Sequence, residues 1–117
     1  MTKPLLCPSQ LAEIRALEKV RPGFPEQMLA LFGEAARESL DGCFGAWLSE
    51  DGPQLQSFAH RLKGTAASFG ALELRQKAER LEIDAGRETP IERQRLTDIE
   101  QTIEATRQAY ADWLSRT

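Results

Sequence analysis

The sequence predicts an all-α protein: an antiparallel four-helix bundle, up-down-up-down, with a short additional N-terminal helix. Three observations predict it. Apolar residues recur at helical spacing along almost the whole chain. Strand signals are missing, since there are few β-branched runs and no period-two stretch bounded by hairpin turns. Short breaks rich in Pro and Gly separate the periodic segments, which makes successive helices antiparallel neighbours. The 117 residues fit one domain spanning 1–117 and suffice to bury one core.

Ser9 is the expected N-cap of the short first helix, whose apolar positions are Leu11, Ile14, Leu17 and Val20. The run Arg21-Pro22-Gly23-Phe24-Pro25 breaks it, and Pro25 suits the first turn of the next helix. That second helix runs to about Ser49 on Met28, Leu29, Phe32, Ala36, Leu40, Phe44, Trp47 and Leu48. Gly33, Gly42 and Gly45 within it mark either close packing against a neighbour or a bend. Glu50-Asp51-Gly52-Pro53 turns the chain into the third helix, with Leu55, Phe58, Ala59, Leu62, Ala66 and Phe69 as its apolar stripe. Gly70 is placed to stop that helix as a left-handed cap. Ala71, Leu74, Ala78, Leu81 and Ala85 follow in alternating steps of three and four, the seam of a bundle helix. Gly86 to Pro90 closes the fourth segment, and Thr89, Pro90 and Glu92 read as a capping box for the last helix. Leu96, Ile99, Ile103, Tyr110, Trp113 and Leu114 carry that helix nearly to the end.

Composition removes several function classes. A net charge of −3 argues against nucleic acid as a partner. No run approaches the length of a membrane span, and the apolar part of Met1 to Pro8 is too short for a secretory signal, so a cytoplasmic protein is expected. Cys7 and Cys43 show no metal or redox spacing and read as free thiols in a reducing compartment.

The chemistry concentrates on the third helix. His60, the only histidine, projects roughly 150° from the centre of the apolar stripe and should face water. Its neighbours on that outer face are Gly64 and Ala67, where a surface helix ordinarily places Glu, Lys or Gln. A helix-interior glycine costs about 1 kcal/mol relative to alanine, so something other than helix stability wants the face bare. Lys63, three residues from His60, is close enough to share an anion with it. A single histidine cannot build a bundle di-iron site, which needs a Glu-x-x-His pair on each of two helices. No Ser or Cys stands in a recognisable spacing with a His–carboxylate pair either. Histidine as the nucleophile itself remains.

The run Ala59-His60-Arg61-Leu62-Lys63-Gly64-Thr65-Ala66-Ala67-Ser68-Phe69-Gly70-Ala71, followed by Leu74, Ala78, Leu81 and Glu82, resembles the signature of histidine-containing phosphotransfer (HPt) domains. That family shows a His, a Lys three residues on, a Gly next, and a second Gly ten after the His; all four match, and the resemblance is strongest over roughly residues 25–85. It implies a phosphocarrier in a multistep His-Asp relay, taking a phosphoryl group onto His60 from an aspartyl phosphate of a receiver domain and passing it to another receiver. Imidazole suits the task near pH 7, with an unperturbed pKa of about 6.5, and phosphoryl transfer is mostly positioning and charge stabilisation.

The resemblance also implies roles. Lys63 counters phosphoryl charge. Gly64, Ala67 and Arg61 meet the partner. Apart from the resemblance, the charges of Arg61, Arg75, Lys77 and Arg80 read either as a basic cast near His60 that suits an acidic receiver pocket or as a solvated helix face. Glu82 orients the imidazole from the facing helix, and Gly70 ends the motif helix. Ser68 has two readings, a hydrogen bond near the site or one to its own backbone. The chain itself is expected to bind no cofactor or metal, with Mg²⁺ on the receiver, and the expected partners are receiver domains of a hybrid sensor kinase and of a response regulator. No autonomous kinase activity is implied, a monomer is expected, and the starting Met1 favours a free-standing module. Two rival readings are the histidine-bearing hairpin of a sensor kinase and a module that binds receivers without carrying phosphate. The hairpin usually has an acidic residue directly after the histidine and a proline a few positions on; Arg61 follows His60, and the rest of the helix contains no proline. An intact His-x-x-Lys-Gly set argues against the second.

Overall fold

The computed structural model describes residues 4–87 and 89–116. Within them the chain forms five helices, α1 (Pro8–Leu17), α2 (Phe24–Leu48), α3 (Gly52–Ser68), α4 (Leu72–Gly86) and α5 (Arg93–Ser115), and no named strand. The four long helices close a ring around one core: α3 lies against both α2 and α4, and α5 against both α2 and α4, while α1 packs on α2. Every residue of the expected seams on α3 and α4 is buried except Phe58, which is partly covered. Phe32 of α2 meets Phe69 edge-on, with ring centroids 5.5 Å apart. Burial of this apolar surface, at about 25 cal/mol per Å², is what holds α3 and α4 side by side.

α2 is a single unbroken helix. At Gly42 a Cβ would run into the Phe58 ring of α3, so this glycine permits a close helix approach, whereas Gly33 and Gly45 face open space. Of the two readings of this glycine-rich helix, close packing holds, at Gly42. The α3–α4 corner is a Schellman turn: Gly70 is left-handed at φ 69°, Ala71 N donates to Ala66 O at 2.9 Å, and Gly70 N donates to Ala67 O at 3.4 Å. Asp51 caps the start of α3 by accepting from Gln54 N at 3.0 Å.

Three expectations need correction. Cys7, not Ser9, is the N-cap of α1, and Pro8 sits in its first turn. The extended Cys7 backbone is tied to the α3–α4 corner by Cys7 N to Gly70 O, 2.8 Å, while Leu72 N donates to Leu5 O; this long-range anchor sets where the helix begins. Leu17 and Val20 are exposed, as is Leu48: α1 ends at Leu17, and its buried face is limited to Leu11 and Ile14. The capping box at Thr89, Pro90 and Glu92 does not form. α5 starts at Arg93, with Glu92 in the cap position and no side-chain cap bond. The preceding stretch is used to cross the end of the bundle: Ile91 packs on the core and its carbonyl accepts from Trp47 Nε1 at 2.6 Å. Glu88 of this connection, and Met1 to Lys3 at the N-terminus, lie outside the described residues.

Candidate functional site

The apolar stripe of α3 turns His60 outward. Ala59 and Leu62 beside it are fully buried, and 65% of the His60 side chain is open to solvent. The ring is held all the same. Glu82 reaches across from α4, and its Oε2 lies 2.8 Å from His60 Nδ1. The other oxygen, Oε1, lies 2.8 Å from Lys63 Nζ. One carboxylate therefore ties together the two residues that the sequence places three apart. The juxtaposition rests on helix registry: Leu81, next to Glu82, is buried in the seam, and burial of Leu74, Ala78, Leu81 and Ala85 leaves α4 one rotational setting.

The bond defines the imidazole's tautomer. Hydrogen bonding from Lys63 holds the Glu82 carboxyl below its ordinary value near 4.5, His60 adds to this, and partial desolvation opposes both. Glu82 is thus an anion at neutral pH and can only accept. The 2.8 Å contact is attractive with the proton on Nδ1, which leaves the Nε2 lone pair of a neutral ring free on the solvent side. The link is pH-dependent in a defined sense. A carboxyl whose value is depressed in the folded state adds stability that is fully present above its unfolded value and is lost as pH falls through the folded one. The stability difference between the protein and Glu82→Gln, read by urea denaturation, should be full at neutral pH and close as pH drops below about 4.5. A difference that widens toward acid would contradict this arrangement.

The floor beside the ring is bare. A Cβ on Gly64 would meet nothing within 4 Å, so no helix crossing requires this glycine. Ala67 is exposed one turn further on, although its carbonyl accepts from Gln10 Nε2 of α1 at 2.9 Å. Gln10 also lies against Gly70, so α1 closes the far end of this face. Ser68 Oγ donates to Gly64 O at 3.0 Å, the backbone bond that was one of its two readings, and eight residues put it about 12 Å from His60 along the helix.

The basic residues do not converge. Arg61 extends to α2, with Nη2 3.3 Å from Glu38 Oε1 and its guanidinium 5.5 Å from the Phe58 ring centre. Lys77 and Arg80 lie on the other side of α4. Lys77 bonds Glu73, Asp98 and Thr102, and Arg80 pairs with Asp84, which Arg95 of α5 also holds. Arg75 is exposed and shares the Glu82 side of α4 through a seven-residue spacing. Sequence reasoning missed Glu38 and Gln10, whose contacts span 23 and 57 residues and carry no local signal. Among the described residues no three of His, Cys, Asp or Glu are grouped so as to hold a metal ion. No helix among them is long and apolar enough to cross a membrane.

An exposed imidazole with a directed Nε2, an ammonium nearby and an open approach suit acceptance of a small electrophilic group delivered on another protein's surface. Comparison with known proteins points the same way. The crystal structure of histidine-containing phosphotransfer protein B (HptB) from Pseudomonas aeruginosa PAO1 is similar, with a TM-score of 0.82 at 24% identity over 99% of each chain, a likeness of fold. No curated protein sequence matches the chain. The family model for the Hpt domain matches residues 27–109, which include the whole of α3 and α4. The chain therefore belongs to the Hpt domain family, the histidine phosphotransfer carriers of phosphorelay signalling.

Proposed function

We propose that this protein accepts a phosphoryl group on His60 Nε2 from the aspartyl phosphate of a receiver domain and hands it to the aspartate of a second receiver. The hybrid sensor kinase would supply the first and a response regulator the second, with Mg²⁺ held by the receiver. The observation that carries the reading is the 2.8 Å bond from His60 Nδ1 to Glu82, which aims the other ring nitrogen at solvent over an open floor. Transfer here is positioning and charge control. The Nε2 lone pair forms the N–P bond as the P–O bond to the donor aspartate breaks, and the electron pair leaves with that carboxylate. Lys63 counters charge on the phosphoryl oxygens, Gly64 and Ala67 let the receiver come close, and Arg61 meets it at the edge. Ser68 supports the site by fastening the end of α3 to Gly64 O. The reading includes a monomer in the cytoplasm with α2 to α5 in antiparallel up-down-up-down order, an order that the short connections at 49–51 and 69–71 favour. It includes no kinase activity of the chain's own, since the family's members carry phosphate rather than draw it from ATP.

The test is transfer from a receiver domain charged with labelled phosphoryl. The chain should acquire an acid-labile, base-stable label, and should stay unlabelled with ATP and Mg²⁺ alone. Labelling by ATP alone would overturn the reading. A further expected result concerns the bare floor. Gly64→Leu should slow transfer by about tenfold or more, because a misplaced approach is costly, while helix content stays equal or rises by virtue of leucine's higher propensity. Unchanged transfer in this variant would refute the docking role of Gly64.

A further inference from the structure

Glu82 does more than aim the ring, because its second oxygen holds Lys63 at 2.8 Å. The ammonium that would meet a phosphoryl group already has an anionic partner, and that partner stands on the same side of α3 as the ring. A phosphoryl group on Nε2 carries about −1.5 to −2 charge near neutrality, so it would enter a site where one carboxylate repels it and shares its counter-ion. A neutral amide in the same place would still accept the Nδ1 hydrogen but would neither repel the phosphoryl group nor detain Lys63.

The other charges near His60 do not offset this. Beside His60, α3 packs against α2 and α4, and α1 reaches it only further along, through the uncharged Gln10 on the Ala67 carbonyl. From α2, Glu38 is paired with Arg61, and both of these side chains are largely exposed. On α4, Glu79 and Arg75 share the Glu82 side at spacings of three and seven residues, which puts them about 5 and 10 Å away along the helix. Lys63 and Glu82 are the charged groups in direct register with the ring, with 29% and 20% of their side chains open to solvent. They are less screened than a fully exposed pair.

We infer that Glu82 sets the transfer potential of the carrier: by claiming part of the Lys63 charge and adding its own, it keeps the phosphoryl group on His60 less stabilised than the same site with a neutral hydrogen-bond acceptor would. This rests on the reading of His60 as the phosphoryl acceptor. In the forward step the new N–P bond leaves the proton on Nδ1, shared with Glu82 Oε2, so the phosphorylated ring is cationic and paired with a carboxylate. In the return step the N–P electron pair goes back to Nε2 while the phosphorus bonds an oxygen of the accepting aspartate. Glu82 favours that return by keeping the ring protonated and the phosphoryl group short of cation.

Phosphoramidate phosphorylates histidine chemically and needs no receiver, so it isolates this inference from the question of partners. The full chain, Glu82→Gln, Lys63→Gln and the double variant are charged with it, and the second ionisation of the phosphoryl group is followed by ³¹P NMR against pH. Circular dichroism checks that each variant keeps its helices. The expected result is a lower midpoint in Glu82→Gln, equivalent to about a threefold to tenfold change in proton affinity. Lys63→Gln should raise the midpoint strongly in the Glu82→Gln background and only weakly alone, the signature of a shared counter-ion. Equal midpoints in the protein and Glu82→Gln, or a Lys63→Gln effect of the same size in both backgrounds, would overturn the inference. Transfer from a charged receiver, measured separately, decides the phosphocarrier reading itself, so failure of one is distinguishable from failure of the other.

Discussion

His60→Gln should abolish phosphoryl acceptance from a charged receiver, a loss of at least about a thousandfold, and leave the fold intact. The size of the loss follows from chemistry. A glutamine amide has no lone pair with the nucleophilicity of imidazole, and no other histidine in the chain can take its place. The intact fold follows from position. His60 lies on the open side of α3, and its side chain is bonded to Glu82, so the stability change should stay within about 1 kcal/mol. Labelling by transfer and a urea melt on the same preparation measure both. A label that persists in His60→Gln would remove the assignment, whatever the fold does.

Leu62→Ala should do the reverse. Leu62 is fully buried on the core side of α3, between Ala59 and Ala66, which are themselves fully buried and too small to refill the space. A leucine removed from such a site costs about 2–5 kcal/mol, depending on how far the walls can collapse, and in a domain of this size the melting temperature should fall by about 10 °C or more. Wherever the variant remains folded, the bond from Glu82 to His60 does not involve this side chain, so transfer at low temperature should persist. Thermal and urea denaturation give the first quantity and receiver transfer gives the second. A cost under about 1 kcal/mol would show that α3 is not seated by this face.

The pair separates two uses of one helix. A period of 3.6 residues puts Leu55, Ala59, Leu62 and Ala66 on the inner side and His60, Gly64 and Ala67 on the outer one. Both sets are legible without coordinates, because the period is a local property of the backbone. The corrections have a different origin. The start of α1 moves from Ser9 to Cys7 because of a backbone bond to Gly70, and the start of α5 moves to Arg93 because Ile91 and Trp47 join at the end of the bundle. Each of these contacts spans more than forty residues of sequence.

The sequence by itself therefore determined the helical class, the inner and outer faces of the third helix, and the His-x-x-Lys-Gly set on its open side. The reason is that helix periodicity and motif spacing are short-range. Only the tertiary structure decided that Glu82 binds His60 and Lys63 with one carboxylate, that Gly42 rather than Gly33 or Gly45 meets a neighbouring helix, and that Arg61, Lys77 and Arg80 are engaged elsewhere. Each depends on the rotation and register of one helix against another, which the summed packing of the core sets and which no stretch of the chain encodes alone.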